Sequence, residues 1–132
     1  MANQIINTSH APAPIGPYSQ AVRAGNMVFI SGQVALVPGS GEFITDNIAA
    51  ETKQVMKNLE AILHEAGLTF QNVIKTTIFL SDMSLFAAVN EVYGEYFVSI
   101  GDASAVYPAR ETVAVKGLPK NANVEISMIA AI

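Results

Sequence analysis

The spacing of the apolar residues changes along this chain from strand-like to helical and back, and the order of these changes restricts the fold more than any other feature. Short alternating or continuous apolar runs are typical of strands, whereas recurrence at every third or fourth residue is typical of a helix. Val55, Leu59, Ile62 and Ala66 recur at helical spacing, and Gly67 follows as a stop signal. The predicted elements are strands at 20–24 and 27–31, a helix from 46 or 47 to 66, a strand at 73–81, a helix from 82 or 84 to about 101, and strands at 110–115 and 124–130.

This order, ββαβαββ, predicts an α+β sandwich in which two helices cover one face of a single mixed sheet. The 132 residues suit one domain, spanning 1–132. The other face of the sheet is then left open. Charged residues make up only 14% of the chain, against about 25% in typical globular proteins. The open face and the low charge together favour a homo-oligomer, and the alternative is a monomer with a surface of Ser, Thr and Asn.

Composition excludes several classes of site. The chain has no cysteine, which excludes disulfides, thiolate nucleophiles and cysteine-ligated zinc. Neither of the two histidines, His10 and His64, has a second ligand at metal-binding spacing, so no metal site is predicted. The seven basic residues form no run and the net charge is −4, which disfavours nucleic-acid binding. No apolar run has the length of a membrane helix and the N-terminus has no features of a targeting peptide, so the expected location is the cytoplasm.

Two charged residues stand in apolar surroundings. Arg110 follows Pro108 and Ala109 at the entrance to a predicted strand, and the planar guanidinium suits bidentate carboxylate binding. A structural arginine paired with an acid is the alternative. Glu125 lies in the last strand, on the face opposite Val124. If a neighbouring subunit covers that face, Glu125 is a half-buried carboxylate able to orient or deprotonate water; otherwise it is an ordinary solvated strand residue.

Three uncharged polar residues are weaker candidates. Asn90 sits at the edge of the apolar stripe of the second helix, where it either donates to a ligand or stabilises a loop. Ser31 ends an apolar strand, and its hydroxyl either faces a cavity or terminates the strand. Tyr18 follows a Gly-Pro pair and either forms an aromatic wall or simply packs.

Several short motifs occur in order along nearly the whole chain: GPYSQA (16–21), SGQ (31–33), NL..IL.EAG (58–67), VIKTTIFLSDMS.FA.VNEVY..YF (73–97), PAR (108–110) and VEI (124–126). Taken together they resemble the RidA/YjgF family of small imine deaminases. The resemblance implies a homotrimer with a chorismate-mutase-like fold and with sites in the clefts between subunits. It also implies hydrolysis, without any cofactor, of 2-imino acids such as 2-aminoacrylate/2-iminopropanoate and 2-iminobutanoate to 2-keto acids and ammonia.

The resemblance also assigns roles to individual residues. The carboxylate-binding arginine of the family falls on Arg110, and the acid that positions water falls on Glu125. The family's site tyrosine, serine and asparagine fall on Tyr18, Ser31 and Asn90. Many members carry a cysteine where this chain has Thr112, so a ligand contact from that position must come from a hydroxyl or backbone group.

Other functions stay open at this stage. A binding module for small 2-keto acids would use the same Arg110 without turnover. Chorismate mutase fits poorly, because a dicarboxylate site recruits several cations and the chain has only two arginines, Arg23 and Arg110. An RNA-directed or chaperone-like role is also known in the family, and the acidic chain without a basic patch weighs against RNA.

Overall fold

Six strands form one mixed sheet, in the order β1-β2-β3-β6-β4-β5. The structure is a computed structural model that describes residues 2–98 and 106–132. Its helices and strands are β1 Gln4–Ile6, β2 Ala21–Ala24, β3 Met27–Gln33, α1 Ile48–Glu65, β4 Val73–Leu80, α2 Phe86–Glu95, β5 Ala109–Ala114 and β6 Val124–Ala131. Strands β4 and β5 are parallel, and the other neighbours are antiparallel.

Both helices cover the same face of the sheet, as the sequence predicts. The side chain of Asn47 accepts a hydrogen bond from the backbone N–H of Ala50 (2.8 Å) and so caps the start of α1. Leu59 and Ile62 of α1 are fully buried in one core with Ile126 of β6. The α+β architecture with two helices on a mixed sheet is therefore confirmed.

The structure differs most from the predicted elements at β1 and at the end of α2, while β3 extends to Gln33 and α2 begins only at Phe86. Strand β1 was not predicted, because three residues are too few to show a period and the strand exists only through its pairing with β2. Helix α2 ends at Glu95 rather than near residue 101; residue 101 itself lies outside the described residues. The N–H groups of Tyr96 and Phe97 bond to carbonyls three residues back, so a tight turn ends the helix.

The face of the sheet opposite the helices carries both apolar and polar side chains. Val22, Phe29 and Ile129 are register neighbours across β2, β3 and β6, and Phe29 is 46% exposed. On β4 and β5, Lys75 forms an ion pair with Glu111 (3.3 Å). We call this surface the open face, and it leaves apolar area in water that a second chain could cover.

Candidate functional site

The guanidinium of Arg110 is held by one stripe of helix α2. Its Nη1 donates a hydrogen bond to Oδ1 of Asn90 (2.7 Å). Its Cζ lies 5.2 Å from the ring centroid of Tyr93 and 5.6 Å from that of Phe86. Positions 86, 90 and 93 follow helical spacing and so share one face of α2. We call these four residues the arginine cluster, and α2 as a rigid element fixes where the guanidinium lies.

Tyr93 ties this cluster to the sheet. Its hydroxyl donates to Oγ1 of Thr76 (2.9 Å), a fully buried residue of β4 that is the register partner of Arg110. Burial raises the pKa of the Tyr93 hydroxyl, against the opposing effects of the Thr76 hydrogen bond and the Arg110 charge. Tyr93 is therefore a neutral phenol at ordinary pH, and its ring faces the guanidinium as a cation–π partner.

Arg110 has no acidic partner among residues 2–98 and 106–132, where the ion pair found is Lys75–Glu111 on the other face. The hydrogen bond to Asn90 uses one of the five guanidinium N–H groups. The aromatic rings attract the cation but do not neutralise it. Within the described residues, the cluster is thus a half-buried positive charge whose other N–H donors have no hydrogen-bond partner, which suits a small anionic ligand.

A pocket of about 350 Å³ adjoins the guanidinium. Its described lining residues are Asn90, Tyr93, Gly94, Tyr107, Pro108 and Arg110. We call it the arginine pocket. Arg110 is the only charged residue in this lining, and two aromatic rings and a proline make up much of the wall. Such a lining accepts a small ligand with one carboxylate and an uncharged remainder.

Thr112 shares the Arg110 side of β5, because side chains two residues apart point to the same face. Its Oγ1 is buried and has no hydrogen-bond partner among the described residues. An unpaired buried hydroxyl costs about 1–3 kcal/mol of stability. Thr112 therefore offers a ligand an unused hydroxyl group, two residues beyond Arg110 on the same side of β5.

Glu125 lies on the open face, at the other side of the sheet. Burial raises the pKa of its carboxyl above the usual value, and no hydrogen bond to it occurs within the described part of the chain. The carboxylate lies directly over Gly32, where a Cβ would be only 2.8 Å from the Glu125 Cδ. Gly32 falls in the irregular stretch of the β3–β6 pairing, between Ile30 and Gln33. A side chain at position 32 would occupy the space that Glu125 uses.

Tyr18 and Ser31 lie on the same side of the sheet as Glu125. Both line a depression of about 420 Å³ on the open face, and Tyr18 also lines a small crevice with Gly32. The Ser31 hydroxyl donates to the carbonyl of Ser19 (2.6 Å), so it has a structural partner already. The Tyr18 ring is 50% exposed. Glu125, Gly32, Ser31 and Tyr18 form what we call the glutamate group.

The sheet separates the two sets of candidate residues. Arg110, Asn90 and Thr112 lie on the helix side, and the glutamate group lies on the open face. One chain therefore brings Arg110 to Asn90 but not to Glu125. Sequence reasoning missed Phe86, Tyr93 and Gly32 as site residues, although the spacing of Phe86 and Tyr93 from Asn90 was a signal that could have found the first two.

The described residues contain no group of three or more His, Asp or Glu side chains arranged to hold a metal ion. Within the same residues, no helix is both long enough and apolar enough to span a bilayer.

Comparisons with known proteins show the family and the fold of this chain. The family described as endoribonuclease L-PSP matches residues 8–132. A mouse protein named 2-iminobutanoate/2-iminopropanoate deaminase is 46% identical over 127 residues, covering 96% of this chain and 90% of that protein. A Rid-family protein from Yersinia pestis superposes with a TM-score of 0.92 at 40% identity, covering 99% of this chain and 100% of the other. E. coli TdcF, solved with bound serine, has a TM-score of 0.89 at 40% identity and 98% coverage of each chain.

Proposed function

This chain belongs to the endoribonuclease L-PSP family, of which the RidA/YjgF deaminases are part, and on that premise we propose that it hydrolyses reactive 2-imino acids to 2-keto acids and ammonia without a cofactor. The substrates are 2-iminopropanoate, its enamine tautomer 2-aminoacrylate, and 2-iminobutanoate. The observation that carries the proposal is the Arg110 guanidinium, which adjoins an aromatic pocket with no acidic partner in the described residues.

Arg110 binds the substrate carboxylate in this proposal. A guanidinium that already has an internal carboxylate would gain little from a ligand, whereas Arg110 has none among the described residues. Its hydrogen bond to Asn90 and its two ring contacts restrict its orientation before the ligand arrives. Serine, the molecule bound to E. coli TdcF, carries a carboxylate and is similar in size to 2-iminopropanoate. This similarity supports a carboxylate-binding role for Arg110.

The reaction itself asks little of the protein. Water adds to the electrophilic carbon of the protonated imine, R–C(=NH₂⁺)–COO⁻, and the C–N bond then breaks to release NH₄⁺ and leave R–CO–COO⁻. No nucleophilic side chain is needed. Glu125 accepts the proton of the attacking water and returns it to the departing nitrogen. Burial raises the pKa of the Glu125 carboxyl toward neutral pH, and a proton acceptor is most efficient when its pKa lies near the working pH.

Two copies of the chain must supply one site, because Arg110 and Glu125 lie on opposite faces of the sheet. The arginine cluster of one protomer then meets the glutamate group of the next. Contact between two different surfaces of identical chains closes into a ring when the rotation permits. We propose that this ring is the homotrimer of the family and that the open face is buried in it. Light scattering at micromolar concentration tests this, since a monomer mass would refute both the trimer and the shared site.

Turnover in the presence of a serine dehydratase tests the activity. The dehydratase releases 2-aminoacrylate, and the protein is expected to speed the appearance of pyruvate. Arg110→Ala should abolish the effect, and Arg110→Lys should weaken it strongly, because lysine keeps the charge but loses the planar fork. A charge-assisted hydrogen bond is worth about 1.5–3 kcal/mol, so losing a bidentate pair lowers kcat/KM by roughly two to four orders of magnitude.

Arg23→Ala is the matched control. Arg23 is the other arginine of the chain, and its Nε bonds to the Gly25 carbonyl at a turn away from the site. This variant should keep full activity. Thermal unfolding of all three variants separates a carboxylate clamp from a structural arginine, because the latter lowers Tm while activity follows the folded fraction. Binding of pyruvate without any rate gain would instead identify a 2-keto acid binding module and refute the enzyme.

A further inference from the structure

Gly94 is a glycine that neither the backbone nor the packing requires. It lies in the last turn of α2, where helices often end on a glycine with positive φ. Gly94 is not among the positive-φ glycines, so any residue could adopt its conformation. A Cβ added to it would meet no atom of the described residues within 4 Å. Alanine would moreover favour the helix by about 1 kcal/mol over glycine.

The missing side chain would project into the arginine pocket. Gly94 is part of the pocket lining, and it lies one turn after Asn90, whose Oδ1 holds the Arg110 guanidinium. Side chains on a helix lean toward its N-terminus. A side chain at position 94 would therefore extend over Asn90 and narrow the space beside the guanidinium. The glycine keeps that space open.

The lining of this space indicates what enters it. Iminopropanoate has a single carbon beyond the imine and makes little use of an apolar lining. Besides Arg110, the described lining includes the rings of Tyr93 and Tyr107 and Pro108, with no second charge among the described lining residues. Such a lining favours an uncharged, apolar side chain.

We infer that Gly94 is a specificity-determining residue, and that the pocket beside it receives the side chain of 2-imino acids bulkier than iminopropanoate, such as those formed from leucine or methionine. The inference rests on the proposed function, since it places the substrate carboxylate on Arg110. It adds the substrate class and the residue that selects it.

The experiment compares two imines on the same enzyme preparations. An amino-acid oxidase releases the imine of alanine or of methionine in situ, and keto-acid formation is followed with and without the protein. Gly94→Leu should lower kcat/KM for the methionine imine at least tenfold relative to the alanine imine, because a single methylene in a hydrophobic pocket corresponds to about 10–200-fold discrimination. Gly94→Ala should give a smaller shift in the same direction.

Ala87→Leu is the matched control. It places the same leucine side chain at an exposed position of the same helix that is not part of the described pocket lining, and its ratio for the two imines should equal that of the unaltered chain. A second readout avoids turnover: 4-methyl-2-oxopentanoate should bind the unaltered chain and lose affinity in Gly94→Leu, while pyruvate binding changes little.

The outcomes separate the two proposals. Hydrolysis of both imines with a ratio that Gly94→Leu leaves unchanged refutes the role of Gly94 and keeps the deaminase. An equal loss for both imines also refutes it, because the leucine then disturbs the Arg110 site as a whole. No rate gain with any imine in the unaltered chain refutes the deaminase itself, and the role of Gly94 in selecting its substrate is refuted with it.

Discussion

Mixing two inactive variants should restore activity if each site is built from two chains. Arg110→Ala removes the proposed carboxylate clamp on the helix side of the sheet, and Glu125→Gln removes the proposed proton acceptor on the open face. Each variant alone should be inactive, because every site in its oligomer lacks one of the two groups. A mixed oligomer also contains complete sites, in which a Glu125→Gln chain supplies the intact Arg110 and a neighbouring Arg110→Ala chain supplies the intact Glu125.

The expected recovery follows from counting. In an equal, random mixture, the chain that supplies Arg110 to a given site carries the intact arginine half of the time. Its neighbour independently carries the intact Glu125 half of the time. About one quarter of the sites are then complete, whatever the number of chains in the ring. Turnover should rise from near zero to about 25% of the value for the unaltered protein.

The assay co-refolds the two variants from denaturant at equal concentration and measures 2-aminoacrylate hydrolysis on the purified oligomer. Mixing either variant with the Arg110→Ala, Glu125→Gln double variant is the control, and it should restore nothing. The reasoning is refuted if subunits mix, as mass spectrometry of a tagged chain would show, and no activity returns. That result would mean that Arg110 and Glu125 act within one chain or do not act on the same substrate.

Three further predictions test single groups. Burial raises the pKa of Glu125 in the folded chain, so its protonated form stabilises the fold at low pH, and this stabilisation is lost as pH rises through the raised pKa. Glu125→Gln should therefore have a higher Tm than the unaltered chain at pH 7.5, and the difference in Tm should shrink toward pH 4. A difference in Tm that stays constant with pH would contradict the burial effect. Gly32→Ala should lower kcat at least tenfold, because the new Cβ would lie 2.8 Å from the Glu125 Cδ and displace the carboxylate. Gly117→Ala is the control and should leave kcat unchanged, since its new Cβ would meet no atom of the described residues within 4 Å. Equal kcat in the two variants would show that the position of the Glu125 carboxylate does not matter. Thr112→Val should raise the free energy of unfolding by about 1 kcal/mol, because it removes the unpaired buried hydroxyl, and a decrease in denaturant titration would reveal that this hydroxyl has a partner in the oligomer.

Much of the fold was predictable because its signals are local. The helical spacing of Val55, Leu59 and Ile62 identifies α1 without reference to the rest of the chain, and these residues are fully buried. The alternation along β6 correctly assigned Glu125 to the face opposite the core. Strand β1 could not be predicted, since its three residues become a strand only through the hydrogen bonds that β2 supplies.

The early end of α2 illustrates a tertiary effect on a local pattern. The apolar stripe continues to Phe97 in the sequence, and this continuity favours a longer helix. In the structure, the helix ends before Phe97, and the Phe97 ring packs with its centroid 4.7 Å from that of Tyr93 and 5.4 Å from that of Phe70. The apolar stripe therefore predicts the burial of Phe97, which is 7% exposed, but it does not predict where the helix ends.

The sequence by itself determined which chemical groups this protein has available: one arginine at a strand entrance, one outward carboxylate on the last strand, and no thiol. Only the tertiary structure decided how these groups are arranged. The parallel pairing of β5 with β4 turns Arg110 toward α2, where Asn90, twenty positions earlier in the chain, receives its hydrogen bond. Glu125 is held on the opposite face because side chains alternate across a sheet. A sheet one layer thick therefore separates the two groups, a non-local consequence of strand register that no spacing in the sequence contains.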